Sequence, residues 1–234
     1  MVDYNTQTTD NPNLISRFAH RSRNNISIKI INKIINNEKK TLLDYGCGNG
    51  YLLKELSKTN PMSTFIGYDK YSKIQYKPLS IINNMENIDD KSIDVFCCFE
   101  TLEHLNEDEF KILFLNIKRL IKDSAKIIIS IPIIGGPTLI IKEISRMILF
   151  KRKSDYNFKE LFLASFFGIN AQRAENIKTS HKGFNFKKLK YKLQQKFNII
   201  SIIYSPFKFL PWIFNSQVFY IMELVLPNEN RENK

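Results

Sequence analysis

A short strand that runs directly into a glycine-rich turn constrains the fold of this chain more than any other feature. Residues 41–50 read TLLDYGCGNG, with glycines at positions 46, 48 and 50. Glycine tolerates a positive φ and allows a ligand to approach the backbone closely. A helix is predicted from Tyr51, and the N–H groups of its first turn would point toward such a ligand. The segment therefore predicts a strand–turn–helix unit with a binding site at the carboxyl end of the strand.

Apolar strands and amphipathic helices alternate along the chain, a pattern typical of an α/β protein with a mostly parallel sheet. Besides 41–45, strands are predicted at residues 64–69, 79–82, 93–99, 126–131, 198–204 and 217–226. Helices are predicted at residues 26–35, 51–57, 107–122, 138–150 and 186–196, with a polar arm at 1–23 and a less regular stretch at 151–180. No helix separates the last two strands, so we expect them to pair antiparallel.

The composition fits a globular protein of one domain. The chain has 234 residues, of which 43% are hydrophobic and 25% charged, and this length allows a full core. We expect no secretory signal, because the first residues are polar, and no membrane-spanning helix, because no window of about 20 uncharged apolar residues exists. The three cysteines, Cys47, Cys97 and Cys98, fit neither a disulfide framework nor a zinc motif. A reducing cytoplasm is the expected location.

Positive charge is concentrated in the second half of the chain. The net charge is +12, and residues 121–234 hold 19 Lys and Arg against 8 Asp and Glu. Such a basic half fits nucleic acid, an anionic membrane surface or an acidic substrate. It fits equally well a chain that is rich in Lys, Asn and Ile for compositional reasons.

Two acidic residues near the glycine-rich turn indicate which nucleotide it binds. Asp69 ends the next strand, 19 residues after Gly50, where an acid meets ribose hydroxyls in nucleotide-binding folds. Asp44 stands two residues before the first glycine, and a carboxylate there would repel a pyrophosphate. The spacing is also GxGxG and not the dinucleotide pattern GxGxxG. A carboxylate suits a ligand with an ammonium group, which favours S-adenosylmethionine over NAD.

LDYGCGNG, GYDK and the stretch INNMENIDDKSIDVFCCFETLEHL make residues 40–135 resemble the class I S-adenosylmethionine-dependent methyltransferases. The resemblance implies a Rossmann-like fold with helices on both faces of a mostly parallel seven-stranded sheet and a C-terminal antiparallel strand pair. It also implies that Asp69 binds the ribose, that Asn84 and Met85 flank the adenine, and that Phe99 and Glu100 lie near the methionine part. An Asp is more usual where Asn84 stands. The full set of expected cofactor-binding residues is Asp44, Gly46, Cys47, Gly48, Gly50, Asp69, Lys70, Asn84, Met85, Phe99 and Glu100.

The single domain over residues 1–234 is expected to have four parts. These are an N-terminal arm and helix (1–38), a cofactor-binding core (40–134), a lid or substrate insertion (135–184), and a C-terminal helix with the strand pair (185–227).

The segment FETLEHL follows the fourth strand and carries the candidate catalytic residues. If residues 100–104 form a helical turn, Glu100, Glu103 and His104 lie on one face. Three interpretations remain open. In the first, these residues have only a local structural role. In the second, His104 acts as a general base supported by Glu103. In the third, all three bind a divalent cation that lowers the pKa of an acceptor hydroxyl.

The metal interpretation also rests on a resemblance. E-x-x-E-H at this location is similar to methyltransferases of the terminal 2′-hydroxyl of small RNAs and of catechols in ubiquinone synthesis. In the small-RNA group a downstream histidine completes the metal site, and His181 in SHKGF stands at that place. The resemblance therefore implies a site of Glu100, Glu103, His104 and His181 for a divalent metal such as Mg or Mn.

Three segments are expected to cover the substrate side. The arm RFAHRSR could bind a phosphate or carboxylate through Arg17, His20 and Arg23, or it could simply be solvated. Helix 138–150 is expected to be a core or lid helix, or alternatively a membrane-surface helix. The loop SPFKFLPWIFNSQ at 205–217 is unusually apolar, so it should pack on a lid, a partner subunit or lipid.

The late motifs HKGFN and SPFKFLPWIFNSQ resemble those of bacterial methyltransferases of surface polysaccharides. The resemblance implies a cytoplasmic enzyme of polysaccharide biosynthesis that O-methylates a sugar or another small-molecule or glycan hydroxyl, with peripheral membrane contact left open. One alternative is an RNA 2′-O-methyltransferase, which would bind nucleic acid. The other is a non-catalytic cofactor-binding subunit. The sequence leaves the oligomeric state undetermined.

Overall fold

The computed structural model describes residues 14–70, 80–150, 153–178 and 180–225. In chain order its helices and strands are α1 (Leu14–Ile35), β1 (Thr41–Tyr45), α2 (Tyr51–Thr59), β2 (Thr64–Tyr68), β3 (Ser80–Ile82), β4 (Ile93–Phe99), α3 (Glu107–Leu120), β5 (Ile121–Pro132), α4 (Pro137–Phe150), α5 (Phe158–Phe162), α6 (Phe186–Gln194), β6 (Phe197–Ser205) and β7 (Gln217–Leu224). Short 3-10 turns span Met85–Asn87, Leu102–His104 and Trp212–Phe214, and a π turn spans Leu163–Phe167.

The seven strands form one sheet in the order β3-β2-β1-β4-β5-β7-β6. β7 runs antiparallel to both of its neighbours, and the other adjacent strands are parallel. The predicted α/β class and the antiparallel C-terminal pair are therefore confirmed. The strand order reverses between β1 and β4, and ligands bind in open α/β sheets at the carboxyl ends of the strands beside such a reversal.

Alternate residues of the central strands pack on opposite faces of the sheet, as the pleat requires. Leu42 belongs to the cluster formed with α1 and α2, whereas Leu43 belongs to the cluster formed with α3 and α6. On β4, Val95 belongs to the cluster with α1 and α2, and the adjacent Phe96 belongs to the cluster with α3 and α6. Both faces are thus covered by helices, and polar groups at the strand ends enter a poorly hydrated environment.

The N-terminal helix differs from its predicted extent. Residues 14–23, expected to belong to a polar arm, form the first turns of α1. Over its whole length the apolar residues of α1 are not concentrated on one face, so its sequence has only a weak amphipathic pattern. The helix packs against α2, α4 and β6, and such tertiary packing supplies most of the stability of helices in proteins. The part of the predicted arm before residue 14 lies outside the described residues.

The insertion between β5 and α6 has more regular structure than its sequence indicated. It contains α4, α5 and the π turn, and a small apolar cluster joins Ile134, Leu139, Tyr156 and Ala164. Within the described part of the chain, no helix combines the length and the apolar character needed to cross a membrane.

A buried amide fixes the loop between β6 and β7. Asn215 has no solvent exposure. Its Nδ2 donates to the carbonyls of Phe207, Leu210 and Pro211, each at 3.1 Å, and its Oδ1 accepts from the Phe207 N–H at 2.8 Å. One side chain therefore satisfies four backbone groups and holds this apolar loop in a single conformation.

Replacing Asn215 with aspartate tests this arrangement. Asn215→Asp keeps the shape but places carboxylate oxygen against three carbonyl oxygens in a buried site, so we expect the free energy of unfolding to fall by about 3 kcal/mol or more. Urea denaturation followed by circular dichroism measures the change. Asn198→Asp on the exposed surface of β6 is the control, and equal stability of the two variants would contradict the role assigned to Asn215.

Candidate active site

The glycine-rich turn adopts the conformation that its sequence predicts. Gly46, Gly48 and Gly50 have φ values of 82°, 55° and 78°, a region that glycine enters without strain. The N–H of Gly46 donates to the carbonyl of Tyr68 at 2.7 Å, so the turn is anchored to the end of β2. A Cβ atom at Gly46 would lie 2.3 Å from Thr101 Oγ1. Glycine is therefore required at position 46 because the chain after β4 passes against the turn.

Two carboxyl groups flank this turn, as predicted. Asp69 accepts a hydrogen bond from the Gly48 N–H at 2.9 Å. Asp44 is 3% exposed, and its Oδ1 has no hydrogen-bond partner among the described residues. The pKa of Asp44 is raised to about 7, mainly by burial and also by the negative charge of Asp69, while the positive charge of Arg23 opposes the shift. A buried carboxyl with an open oxygen is suited to receive an ammonium group.

The predicted adenine residues lie on the turn that follows β3. Asn84 is exposed and caps this turn, since its Oδ1 accepts from the Glu86 N–H at 2.9 Å. Met85 is buried, and its carbonyl accepts from Arg119 Nη2 at 2.8 Å. Arg119 on α3 thus holds the turn in place, a role that the sequence gave no reason to expect.

The remaining predicted cofactor residues are close to the same sheet edge. Cys47 is buried in the turn, and Phe99 at the end of β4 packs against Phe219, with ring centroids 6.2 Å apart. Lys70 is exposed directly after Asp69. All three cysteines are free and buried.

Glu100 differs from its predicted position. The helical turn begins only at Leu102, and Glu100 itself has a φ of +50°, so it does not share a face with Glu103 and His104. Its carboxylate lies 3.6 Å from Arg23 Nη1 and accepts from Ser130 Oγ at 3.5 Å. Glu100 therefore lies outside the group of potential metal ligands and faces α1 and β5 instead.

Glu103, His104 and His181 form a compact cluster at the end of β4. The Nε2 atoms of the two histidines are 3.0 Å apart. Glu103 Oε1 lies 3.9 Å from His104 Nε2 and 3.8 Å from His181 Nε2. His104 and His181 are 77 positions apart in the chain, and the structure brings them together as the resemblance implied.

A loop from the insertion carries His181 to this cluster. Arg173 donates from Nη2 to the Glu103 carbonyl at 2.7 Å and from Nη1 to the Ser180 and Lys182 carbonyls, each at 3.0 Å. His104 Nδ1 is 2.9 Å from the Ile177 carbonyl. Sequence reasoning missed Arg173, because an isolated arginine in an irregular segment carries no pattern that distinguishes it from a solvated one.

Burial dominates the electrostatics of the cluster. It raises the pKa of Glu103 well above its ordinary value, and the charge of Glu100 acts in the same direction. Neither carboxyl oxygen of Glu103 has a hydrogen-bond partner among the described residues. Burial also lowers the pKa of His181 to about 3, with the positive charges of His104 and Lys142 contributing. His181 is therefore neutral at physiological pH, so one of its two ring nitrogens carries a lone pair.

Lys142 on α4 is a second residue that sequence reasoning missed. Burial lowers the pKa of its ammonium group, while the Glu100 carboxylate opposes the shift. The positive charge of Lys142 also contributes to the lowered pKa of His181, so the two groups interact electrostatically. The amphipathic pattern of residues 138–150 predicted a core or lid helix but indicated no role for Lys142.

The predicted basic clamp is not one unit. Arg23 contacts Glu100 in the site, whereas Arg17 lines an outer groove beside Arg21. Arg17 and Arg23 are six positions apart, and this spacing places them on different faces of a helix. The side chain of His20 lies outside the described residues.

The sheet order, the glycine-rich turn after β1 and the acid after β2 together define a class I, S-adenosylmethionine-dependent methyltransferase. The chain matches a family model described as a methyltransferase domain over residues 18–135, half of its length. The chain therefore belongs to the methyltransferase domain family. It is an S-adenosylmethionine-dependent enzyme, and the predicted methyl donor is confirmed.

Solved structures agree on the fold. The chain is similar to the PH0226 protein from Pyrococcus horikoshii OT3, with 15% identity, a TM-score of 0.59, and coverage of 95% of this chain and 96% of that chain. It is also similar to the 1,6-didemethyltoxoflavin-N1-methyltransferase of Burkholderia thailandensis, solved with S-adenosylhomocysteine, with 13% identity, a TM-score of 0.58, and coverage of 88% and 83%. It is similar as well to a SAM-dependent methyltransferase from Archaeoglobus fulgidus, with 15% identity, a TM-score of 0.53, and coverage of 88% of this chain and 97% of that chain. A search of curated protein sequences gives no significant match.

The raised pKa of Asp44 predicts how cofactor affinity depends on pH. Below its pKa of about 7 Asp44 is protonated and loses its attraction for the donor's ammonium group. We expect affinity for S-adenosylmethionine to fall about five- to tenfold between about pH 7.5 and about pH 6. Calorimetric titration measures this. Asp44→Asn should bind weakly at both pH values, whereas the exposed control Asp89→Asn should keep the wild-type profile. A pH-independent wild-type affinity would contradict the prediction.

Proposed function

We propose that this enzyme O-methylates a hydroxyl acceptor beside the Glu103, His104 and His181 cluster, with a sugar or sugar-linked hydroxyl as the acceptor. The observation that carries the proposal is the pair of imidazole Nε2 atoms, 3.0 Å apart, facing a buried carboxyl group at the end of β4. S-adenosylmethionine supplies the methyl group when bound. The residues of the chain then have to orient the acceptor and remove its proton.

The hydrogen bonds of His104 support a role as a base. Its Nδ1 faces the Ile177 carbonyl at 2.9 Å, which fixes a proton on that nitrogen because a carbonyl can only accept. Nε2 then carries the lone pair and faces the cluster. Glu103 lies beside the ring and would stabilise the imidazolium that forms when His104 takes a proton from the acceptor.

The same three residues fit a divalent metal ion. Their donor atoms form a triangle with sides of 3.0, 3.8 and 3.9 Å, whose centre lies about 2.1 Å from each atom, as in zinc sites. A metal ion would also satisfy the otherwise unpartnered oxygens of Glu103. With Glu100 excluded, the set of two imidazoles and one carboxylate suits Zn or Mn better than Mg. Such an ion would lower the pKa of the acceptor hydroxyl.

Polar groups around the cluster support an acceptor with several hydroxyl groups. Arg23 and Ser130 contact Glu100 on one side, and the charge of Lys142 acts on both Glu100 and His181. Donors of this kind recognise the hydroxyl and anionic groups of sugars and nucleotide sugars. The motif resemblance to polysaccharide methyltransferases points in the same direction.

Metal removal separates the two versions of the chemistry. We expect purified enzyme to hold about one equivalent of Zn or Mn, and dialysis against a chelator to reduce methyl transfer at least about a hundredfold, with recovery when the metal is restored. His181→Ala should lose both metal and activity, whereas Ser145→Ala on α4 should keep both. A chelated enzyme with unchanged activity would remove the metal version and leave His104 as a metal-free base.

An acceptor screen with labelled S-adenosylmethionine tests the proposed substrate class. Nucleotide sugars, polysaccharide extracts and short RNAs are incubated with the wild-type enzyme and with His104→Ala. We expect label to enter the sugar-containing fractions in a His104-dependent manner. Labelling of RNA at a 2′-hydroxyl would instead assign the cluster to RNA methylation, which the net charge of +12 also suits.

A further inference from the structure

Exposed apolar side chains are concentrated in the segments that cover the substrate side. Among the described residues, 21 large apolar side chains are exposed, and 14 of them lie in α1, in residues 141–169 or in residues 207–214. These segments are less than half of the described chain. Scattered single apolar residues are normal on a protein surface, but a concentration of this kind marks an interaction site.

The centre of this surface is a groove of about 840 Å³ between α1 and the β6–β7 loop, which we call the aromatic–basic groove. Its lining residues are Arg17, Phe18, Arg21, Ser22, Asn25, Ile26, Lys29, Pro206, Phe207, Lys208, Phe209 and Leu210. Four of these are cations, and none of the described lining residues is acidic. The groove therefore combines an apolar surface with a uniformly positive rim.

The loop side of the groove presents a fully solvent-exposed aromatic ring. Phe209 is 100% exposed, and Phe207 and Leu210 beside it are 50% and 44% exposed. The four hydrogen bonds of Asn215 hold this loop, so the ring is presented by an ordered segment.

An aliphatic stripe continues the surface on a neighbouring helix. Ile141, Ile144 and Ile148 lie three or four residues apart on α4 and are 51%, 49% and 70% exposed. α4 packs against α1 and against the turn Trp212–Phe214. The groove and the stripe therefore belong to adjoining elements.

We propose that the aromatic–basic groove docks the enzyme onto an anionic phospholipid surface. Cations around exposed aromatic and aliphatic side chains match a bilayer interface, where the apolar groups enter the acyl boundary and the cations meet the headgroups. Single-stranded nucleic acid would also use cations and aromatic rings. The exposed aliphatic side chains of Leu210 and the α4 stripe favour lipid, because they cannot stack on bases.

Docking at this groove would bring the active site to the membrane interface. Ser22 lines the groove and lies 3.4 Å from Ser205 at the end of β6. The next residue, Arg23, contacts Glu100 in the site. The two sites thus share α1 on different faces, and an acceptor carried by a membrane would meet the enzyme on its substrate side.

Vesicle flotation of the full chain tests the proposal. We expect the protein to float with phosphatidylcholine vesicles that contain phosphatidylglycerol, to float poorly without the anionic lipid, and to be released at high salt. Phe209→Ser and Lys208→Glu should each reduce the bound fraction, corresponding to about a tenfold weaker affinity. Leu115→Ser, which is 69% exposed in the wild type, and Lys118→Glu on α3 are matched controls and should bind as the wild type does.

The remaining outcomes overturn the proposal. Absence of flotation with anionic vesicles would do so, as would equal losses in the groove and control variants. A single-stranded RNA that binds tightly in solution and is lost in Phe209→Ser, without vesicle binding, would assign the groove to nucleic acid. Methyl transfer to a soluble acceptor should be unchanged in Phe209→Ser, which separates docking from the proposed chemistry.

Discussion

The parallel pairing of β1 with β4 at the centre of the sheet determines where every functional group lies. Asp44 pairs with Cys97 in register, so the glycine-rich turn after β1 and the turn after β4 leave the sheet at the same edge. The contact is close enough that only glycine fits at position 46 against Thr101. The glycine-rich turn lies close to the cluster of Glu103, His104 and His181 for this reason, although more than 50 residues separate the turn from Glu103 in the chain.

Helices on both faces of these strands give the site its electrostatic character. A carboxyl group at the end of a doubly covered strand has little access to water, and burial is the largest cause of the raised pKa of both Asp44 and Glu103. Ionisable groups with shifted pKa values are concentrated at functional sites. Where water is excluded, the electrostatic attraction between such a group and a partner of opposite charge is strongest. One buried carboxyl, Asp44, lies beside the glycine-rich turn, and the other, Glu103, faces two imidazoles.

The sequence predicted most of this architecture because the relevant signals are local. The strands of the sheet and the positive φ of the glycines depend on residue type and short-range spacing. The prediction of a polar arm was wrong for residues 14–23. They belong to a helix with little amphipathic character, which packs against other elements of the fold. The prediction was also wrong for Glu100, because nothing in FETLEHL reveals that the helical turn begins two residues later.

The sequence by itself therefore determined the fold class and the glycine-rich turn flanked by Asp44 and Asp69, and a family resemblance implied that His181 lies beside FETLEHL. Only the tertiary structure decided that Glu100 lies outside the cluster, that Arg173 holds the loop bearing His181, and that the charge of Lys142 on α4 acts on Glu100 and His181. Periodicity and turn chemistry act over a few residues and can be read directly. The direction of a single side chain depends on contacts with elements far away in the chain, and these exist only after the sheet has formed.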